Sequence, residues 1–159
     1  MHKRNAVTHA LLNSTQDTHL LLIQEPWFDT IGTARKDTSQ QGVDVLGGVA
    51  SSTWEILYPG LTEGQRPKVM AYARKWAHNN KSPPFTIVPC LNIANHLCLQ
   101  VLDLVFDKEL WRIFNFYHNI RNDMGLKALL STDKDAITST LVVGDFNTHS
   151  PSWSPPGIP

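Results

Sequence analysis

The chain has 159 residues, 42% of them hydrophobic, and its fourteen Lys and Arg balance fourteen Asp and Glu. That length suits one domain with a core of ordinary size, which excludes wholesale disorder and collagen-like or low-complexity architecture. Zero formal charge excludes a global basic field, so any contact with nucleic acid must be local.

Two cysteines, Cys90 and Cys98, are too few for a disulfide framework and are not paired at metal spacing, which suits a reduced intracellular protein with thiols in its core and removes structural zinc. Met1-His2-Lys3-Arg4 leads into a polar-interrupted pattern, and the chain holds no run of ~18 apolar residues, so secretion and membrane spanning are not expected.

Asn5 to Thr15 places Ala6, Ala10, Leu11 and Leu12 on one helical face, ahead of an apolar strand from His19 to Gln24. Thr30 to Gln41, rich in Gly, Thr, Ser and Gln, reads as loop. Val43 to Ser52 and Trp54 to Tyr58 read as short strands broken at Gly47-Gly48 and Pro59-Gly60, and Lys68 to Arg74 alternates as a strand with one polar face, which completes a meander. After a loop from Asn79 to Pro84, strands are expected over Phe85 to Leu91, Cys98 to Phe106 and Trp111 to Tyr117, the last two joined near Asp107-Lys108-Glu109. Asp123 is placed to cap a helix carrying Met124, Leu126, Leu129 and Leu130, and Thr140 to Val143 is a continuously apolar strand ending in Gly144-Asp145. The expected fold class is α/β with many strands and few helices, two mixed or antiparallel sheets facing each other with helices outside. Residues 1–150 form the domain and 151–159 a proline-rich tail.

Glu25 ends the first apolar strand directly before Pro26, which stops ladder pairing and opens a loop, a placement that lets a carboxylate face a cleft or merely be solvated. Asp145 ends the last strand in the same way, with Gly144 beside it and the Asn147 amide two residues on. Two carboxylates on separate strand ends suit a hard divalent ion, Mg²⁺ or Mn²⁺, which takes one or two carboxylates together with water and substrate phosphate. An Asx-type turn in which Asp145 and Asn147 satisfy local backbone groups fits the same spacing.

Three runs carry a resemblance that spacing does not. Ile23-Gln24-Glu25-Pro26-Trp27, Asn115-Phe116-Tyr117 and Val143-Gly144-Asp145-Phe146-Asn147-Thr148-His149-Ser150 resemble, in order, the signature of the endonuclease/exonuclease/phosphatase family. More narrowly they are similar to the apurinic-type endonuclease domains of non-LTR retrotransposons, as are Asn5 to Leu12 and Trp153. The resemblance spans essentially the whole chain and implies a DNase I-like four-layer α/β sandwich and Mg²⁺-dependent hydrolysis of DNA phosphodiesters. It implies that Glu25 ligates the metal, that Asp145 positions or deprotonates the attacking water, that Asn147 orients Asp145 and the phosphate, and that Tyr117 touches the scissile phosphate. His149 and Asn115 are candidate substrate contacts. Asn115 reads equally as a supporting strand residue, Tyr117 as a packed aromatic and His149 as a solvated loop histidine.

By the same resemblance the family's first metal-site Asn would precede Met1, and its later Asp and closing Ser-Asp-His would follow Trp153. The domain is therefore expected to be truncated, with exposed sheet edges that favour self-association and with weak or no turnover by itself. The implied partners are DNA and, in the full-length element, a reverse transcriptase domain, and the implied location is the nucleus. The reading from another class is a non-catalytic, nucleic-acid-binding or self-associating relic. Arg66, Lys68, Arg74, Lys75 and Lys81, interleaved with Tyr72 and Trp76, read either as a track for a phosphate backbone or as a solvated strand face.

Overall fold

The computed structural model describes residues 2–35, 42–61, 64–75, 85–90, 96–118, 124–132 and 139–147. Along the chain these form α1 (His2–Asn13), β1 (Leu20–Gln24), β2 (Asp29–Arg35), β3 (Gly42–Gly47), β4 (Trp54–Leu57), β5 (Val69–Arg74), β6 (Thr86–Pro89), β7 (Leu99–Phe106), β8 (Glu109–Tyr117), α2 (Met124–Leu130) and β9 (Ser139–Asp145). The class is α/β with mostly β content. The strands make three sheets, ordered β1-β5-β4, β2-β3 and β6-β7-β8-β9. Every pairing is antiparallel except β8 with β9, which runs parallel and is bridged by α2 as a parallel crossover demands. Among the described residues no helix is long and apolar enough to cross a membrane.

The period of two along each strand sorts side chains into layers. Leu20, Leu22, Leu57, Ala71 and Ala73 of the three-stranded sheet meet Ile87, Leu102, Leu104 and Ile113 of the four-stranded sheet. Alanines at 71 and 73 on the central strand let the longer side chains of the facing sheet seat against it, and a larger residue there would overpack the join. On the other face of the first sheet, Val7 and Leu11 of α1 pack with Leu21, Ile23, Ile56, Trp54, Met70 and Tyr72, and the Trp54 indole N–H donates to Leu11 O at 3.1 Å. The Arg74 guanidinium lies 4.4 Å from the Trp54 ring. On the outside of the second sheet, Leu99, Val101, Phe114 and Phe116 take Ala128 and Leu129 of α2. The chain thus stacks as helix, sheet, sheet, helix, and burying each large side chain in these layers contributes roughly 1.5–3 kcal/mol.

Several local expectations change. Residues 29–35 form a strand rather than a loop, because β-branched Thr30 and Thr33 pair with β3 in an exposed ribbon whose register shifts between Thr30 and Gly32, with Ile31 left between them. The meander is broken: β4 and β5 are neighbours, but β3 pairs with β2, and β1 takes the other side of β5. As the central strand, β5 is buried from Val69 through Ala73, so it has no polar face. In α1 the buried residues are Val7 and Leu11, whereas Leu12 is 78% exposed. Cys98 is buried and Cys90 half-buried, both as free thiols, and burial together with the Asp103 carboxylate pushes Cys90 up to about 11, which keeps it protonated and unreactive. Asp123 and the 151–159 tail lie outside the described residues.

Candidate active site

Strands β1, β8 and β9 end side by side, and their last residues converge. The Tyr117 hydroxyl donates to Glu25 Oε1 at 3.1 Å, across 92 residues of sequence. Tyr117 and Asp145 are partners in the parallel register of β8 and β9, and the His118 amide extends that ladder by donating to Asp145 O at 2.8 Å. Gly144 makes this approach tolerable, since a Cβ there would stand 1.8 Å from Phe116 O. The site sits at the carboxyl ends of three strands, where open α/β sheets commonly bind ligands.

Glu25 has φ 47°, a left-handed backbone unusual for a residue with an unbranched long side chain and further disfavoured before a proline. Its amide still donates to Lys68 O at 2.8 Å, so the backbone leaves the β1–β5 ladder only after that bond. The carboxylate is held by cations: Lys3 Nζ lies 2.9 Å from Oε2 and Lys68 Nζ 4.0 Å from Oε1. The Lys3 ammonium, helped by the Tyr117 hydroxyl and Lys68 against an opposing effect of burial, holds the Glu25 carboxyl below its ordinary range, so it is ionised at neutral pH. Burial, then the Glu25 and Asp145 carboxylates, push the Tyr117 phenol up, with the Asn147 amide acting the other way. Tyr117 therefore keeps its proton and remains a donor.

Asp145 and Asn147 are both exposed. The Asn147 amide N–H donates to Asp145 Oδ1 at 3.0 Å, and its side chain donates to His118 O at 2.9 Å, with Asn147 itself at φ 44°. The Asx turn is present, and it fixes one carboxylate oxygen of Asp145 while the side chain as a whole faces solvent. The turn and a catalytic carboxylate are compatible.

Asn115 does not reach this surface, a placement that fits a strand residue supporting the site rather than a substrate contact. It is completely buried, because its place on β8 points it between the sheets. There it accepts from Gln24 Nε2 at 2.8 Å and donates to Met70 O at 3.2 Å and Gln100 Oε1 at 3.3 Å. Gln100 Nε2 in turn donates to Leu57 O at 2.7 Å. This polar network ties the two sheets together directly beneath Glu25 and Tyr117. His149 lies outside the described residues.

The run of cations does not stay together either. Arg66 and Lys68 stand at the Glu25 end of β5, Arg66 Nη2 at 3.3 Å from Asp29 Oδ1. Arg74 and Lys75 stand at the other end, about 20 Å away at roughly 3.3 Å per residue. Arg74 there donates to Thr18 O and Thr15 O at 2.7 and 2.6 Å, and Lys75 to Ser51 O at 3.2 Å, so both are committed to backbone carbonyls. Trp76 and Lys81 lie outside the described residues.

Lys3 and Lys68 as neighbours of Glu25 escape a reading by spacing. Gln24 does carry a signal, a polar residue on the inward face of an otherwise apolar strand. A recess of about 290 Å³ opens beside Glu25 between α1 and β1, floored by Ala6, Val7 and Ile23. Another, about 180 Å³, lies at the far end among His19, Arg74 and Phe85, remote from these residues.

Compared with protein-family models, with curated proteins and with solved structures, the chain matches none.

Proposed function

We propose that this chain is a DNA-nicking phosphodiesterase domain of the endonuclease/exonuclease/phosphatase kind, with a DNase I-like sandwich as its scaffold. The observation that carries the reading is the convergence of Glu25, Tyr117 and Asp145 from three separate strand ends, two of them joined by the 3.1 Å hydrogen bond. An ion pair, a tyrosine and an Asx-turn aspartate have no structural need to meet, whereas phosphodiester hydrolysis needs an ionised ligand, a donor for developing charge and a carboxylate that can take a proton.

The donor set fits a hard divalent ion. It consists of carboxylate, hydroxyl and amide oxygens, the donor type that Mg²⁺ or Mn²⁺ takes together with water and substrate, although among the described residues no group of three His, Cys, Asp or Glu gathers at one point. Glu25, ionised and part-exposed, would hold it. When bound, such an ion supplies Lewis-acid stabilisation of charge on the phosphate oxygens.

The protein's own groups do the rest. Asp145, with Oδ1 fixed by the Asn147 amide, accepts the proton of a water as its oxygen attacks phosphorus. Tyr117 exchanges its bond to Glu25 for one to a non-bridging phosphate oxygen as charge grows there. Asn147, braced on His118 O, keeps the Asp145 carboxylate aimed. The departing alkoxide takes its proton from solvent.

The test is nicking of supercoiled plasmid with Mg²⁺ or with EDTA, by the chain and by Asp145→Asn. Nicking that requires both Mg²⁺ and Asp145 supports the reading. Equal nicking by both proteins refutes the site. Salt-sensitive DNA binding with no Mg²⁺-dependent nicking by a folded chain refutes catalysis, and leaves a binding module that self-associates through β1, β4, β6 and β9, which are edge strands among the described residues.

A further inference from the structure

We infer that Lys3 is the resident cation of the Glu25 site: its ammonium stands where a divalent ion would neutralise Glu25, and the ion competes with it for the carboxylate. The inference rests on the metal-dependent reading above and adds a control to it. Lys3 Nζ is 2.9 Å from Glu25 Oε2, whereas Lys68 Nζ is 4.0 Å from the other oxygen, and that other oxygen already accepts the Tyr117 proton. Lys3 thus takes one lone pair of Oε2, and its ammonium charge opposes a divalent ion in the space beside that oxygen.

The surroundings allow the exchange. Lys3 sits in the first turn of α1 with 58% of its side chain exposed, so it can swing away without disturbing the core, which α1 contributes through Val7 and Leu11. The recess between α1 and β1 opens to solvent at Lys3 and Glu25 over the apolar floor of Ala6, Val7 and Ile23, so the Lys3 stem has apolar surface to lie on when its ammonium leaves the carboxylate. Once displaced, the ammonium is a free cation at the rim of the site, placed to meet a phosphate of the nucleic-acid backbone. Lys3 is accordingly a positioning residue with two alternating partners, and metal and phosphate bind cooperatively because each relieves it of the other.

Mn²⁺ binding to the full chain, followed by its paramagnetic resonance signal without DNA, tests this beside Lys3→Met, Lys68→Met and Glu25→Gln. Lys3→Met removes the competitor and is expected to tighten Mn²⁺ by about fivefold, the weight of an exposed ion pair. Lys68→Met, further away, should change it less, and Glu25→Gln should abolish binding at this site. In addition, binding of a short duplex to the Mn²⁺-loaded chain should weaken in Lys3→Met and lose about one unit of its salt dependence. If the wild type binds Mn²⁺ through Glu25 and Lys3→Met binds it equally or more weakly, the exchange is refuted while the metal-dependent reading stands. If neither protein binds Mn²⁺ through Glu25, both fall. Near-UV circular dichroism of each variant establishes that the aromatic core is intact.

Discussion

Replacing Asn115 by Leu isolates the polar join between the sheets. The side chain is completely buried, accepts one hydrogen bond from Gln24 and donates two, to Met70 O and Gln100 Oε1. Leucine has the same side-chain branching and heavy-atom count but two bulkier methyls, so it opens no cavity and adds some overpacking, and three groups lose a partner. Each buried polar group left unpaired costs about 1–3 kcal/mol. Gln24 is only half-buried and can turn to water, and the buried leucine returns up to about 2 kcal/mol of transfer free energy. The expected net loss is about 2–4 kcal/mol, which at a urea dependence near 2 kcal/mol/M lowers the unfolding midpoint by about 1–2 M with an unchanged slope. The network also predicts coupling. Gln100→Leu together with Asn115→Leu removes both ends of one bond, so the double variant should be more stable than the sum of the singles implies by about 1 kcal/mol. A midpoint within about 0.2 M of the parent, or strict additivity of the two substitutions, would refute the reasoning.

Gly144→Ala should cost about 3 kcal/mol or more, because the new Cβ would meet the Phe116 backbone and force β8 and β9 apart. Gly48→Ala is the contrast, its Cβ meeting the flexible end of Met70, and melting temperatures should separate the two clearly. Acid stability follows Asp103, whose carboxyl the Arg112 guanidinium holds low through bonds of 2.6 and 2.8 Å. Because the folded value is depressed, the unfolded chain binds the proton more readily. The stabilisation is therefore complete above about pH 4 and is lost as pH falls through the lower folded value. Asp103→Asn should flatten that acid limb and remove about 3 kcal/mol at neutral pH, since it strands a largely buried guanidinium; a parent-like limb in urea titrations at pH 2–5 would show that the pair is irrelevant.

The strands that sequence reveals are those whose burial is one-sided or continuous. The runs of β1, β7, β8 and β9 are apolar or β-branched enough to be read from pattern alone, and the Asp107-Lys108 turn follows, both residues at positive φ as a two-residue hairpin requires. Residues 29–35 escape because their polar side chains satisfy an exposed ribbon, and pattern detects burial rather than pairing. The partner of β1 escapes for a related reason: β5 is apolar enough to sit at the centre of any sheet, and nothing in Val69 to Arg74 says which strands flank it. The strand-end positions of Glu25 and Asp145 are legible, yet their meeting at Tyr117 depends on a parallel register set by α2 and on the stacking of two sheets. Lys3 is legible only as a surface helix residue, since the distance that matters is fixed by how α1 lies on β1.

Backbone strain adds an argument that neither pattern nor resemblance contains. Among the described non-glycine residues, positive φ occurs at Asp107 and Lys108, where the hairpin explains it, and at Glu25 and Asn147. The latter two belong to different loops, far apart in sequence, and share only their place at the strand ends around Tyr117. Asparagine visits this region readily, but for Glu25 it costs of order 1–3 kcal/mol, and its loop offers no compensating burial, since Glu25 is only half-buried. What the strained backbones achieve is aim. At Glu25 the turn carries the carboxylate off the ladder to Tyr117, and at Asn147 it returns the amide to Asp145. A surface ion pair worth less than about 1 kcal/mol does not balance strain of that size, and on the function proposed above the strained turn at Glu25 serves the ion its carboxylate would hold rather than the stability of the fold.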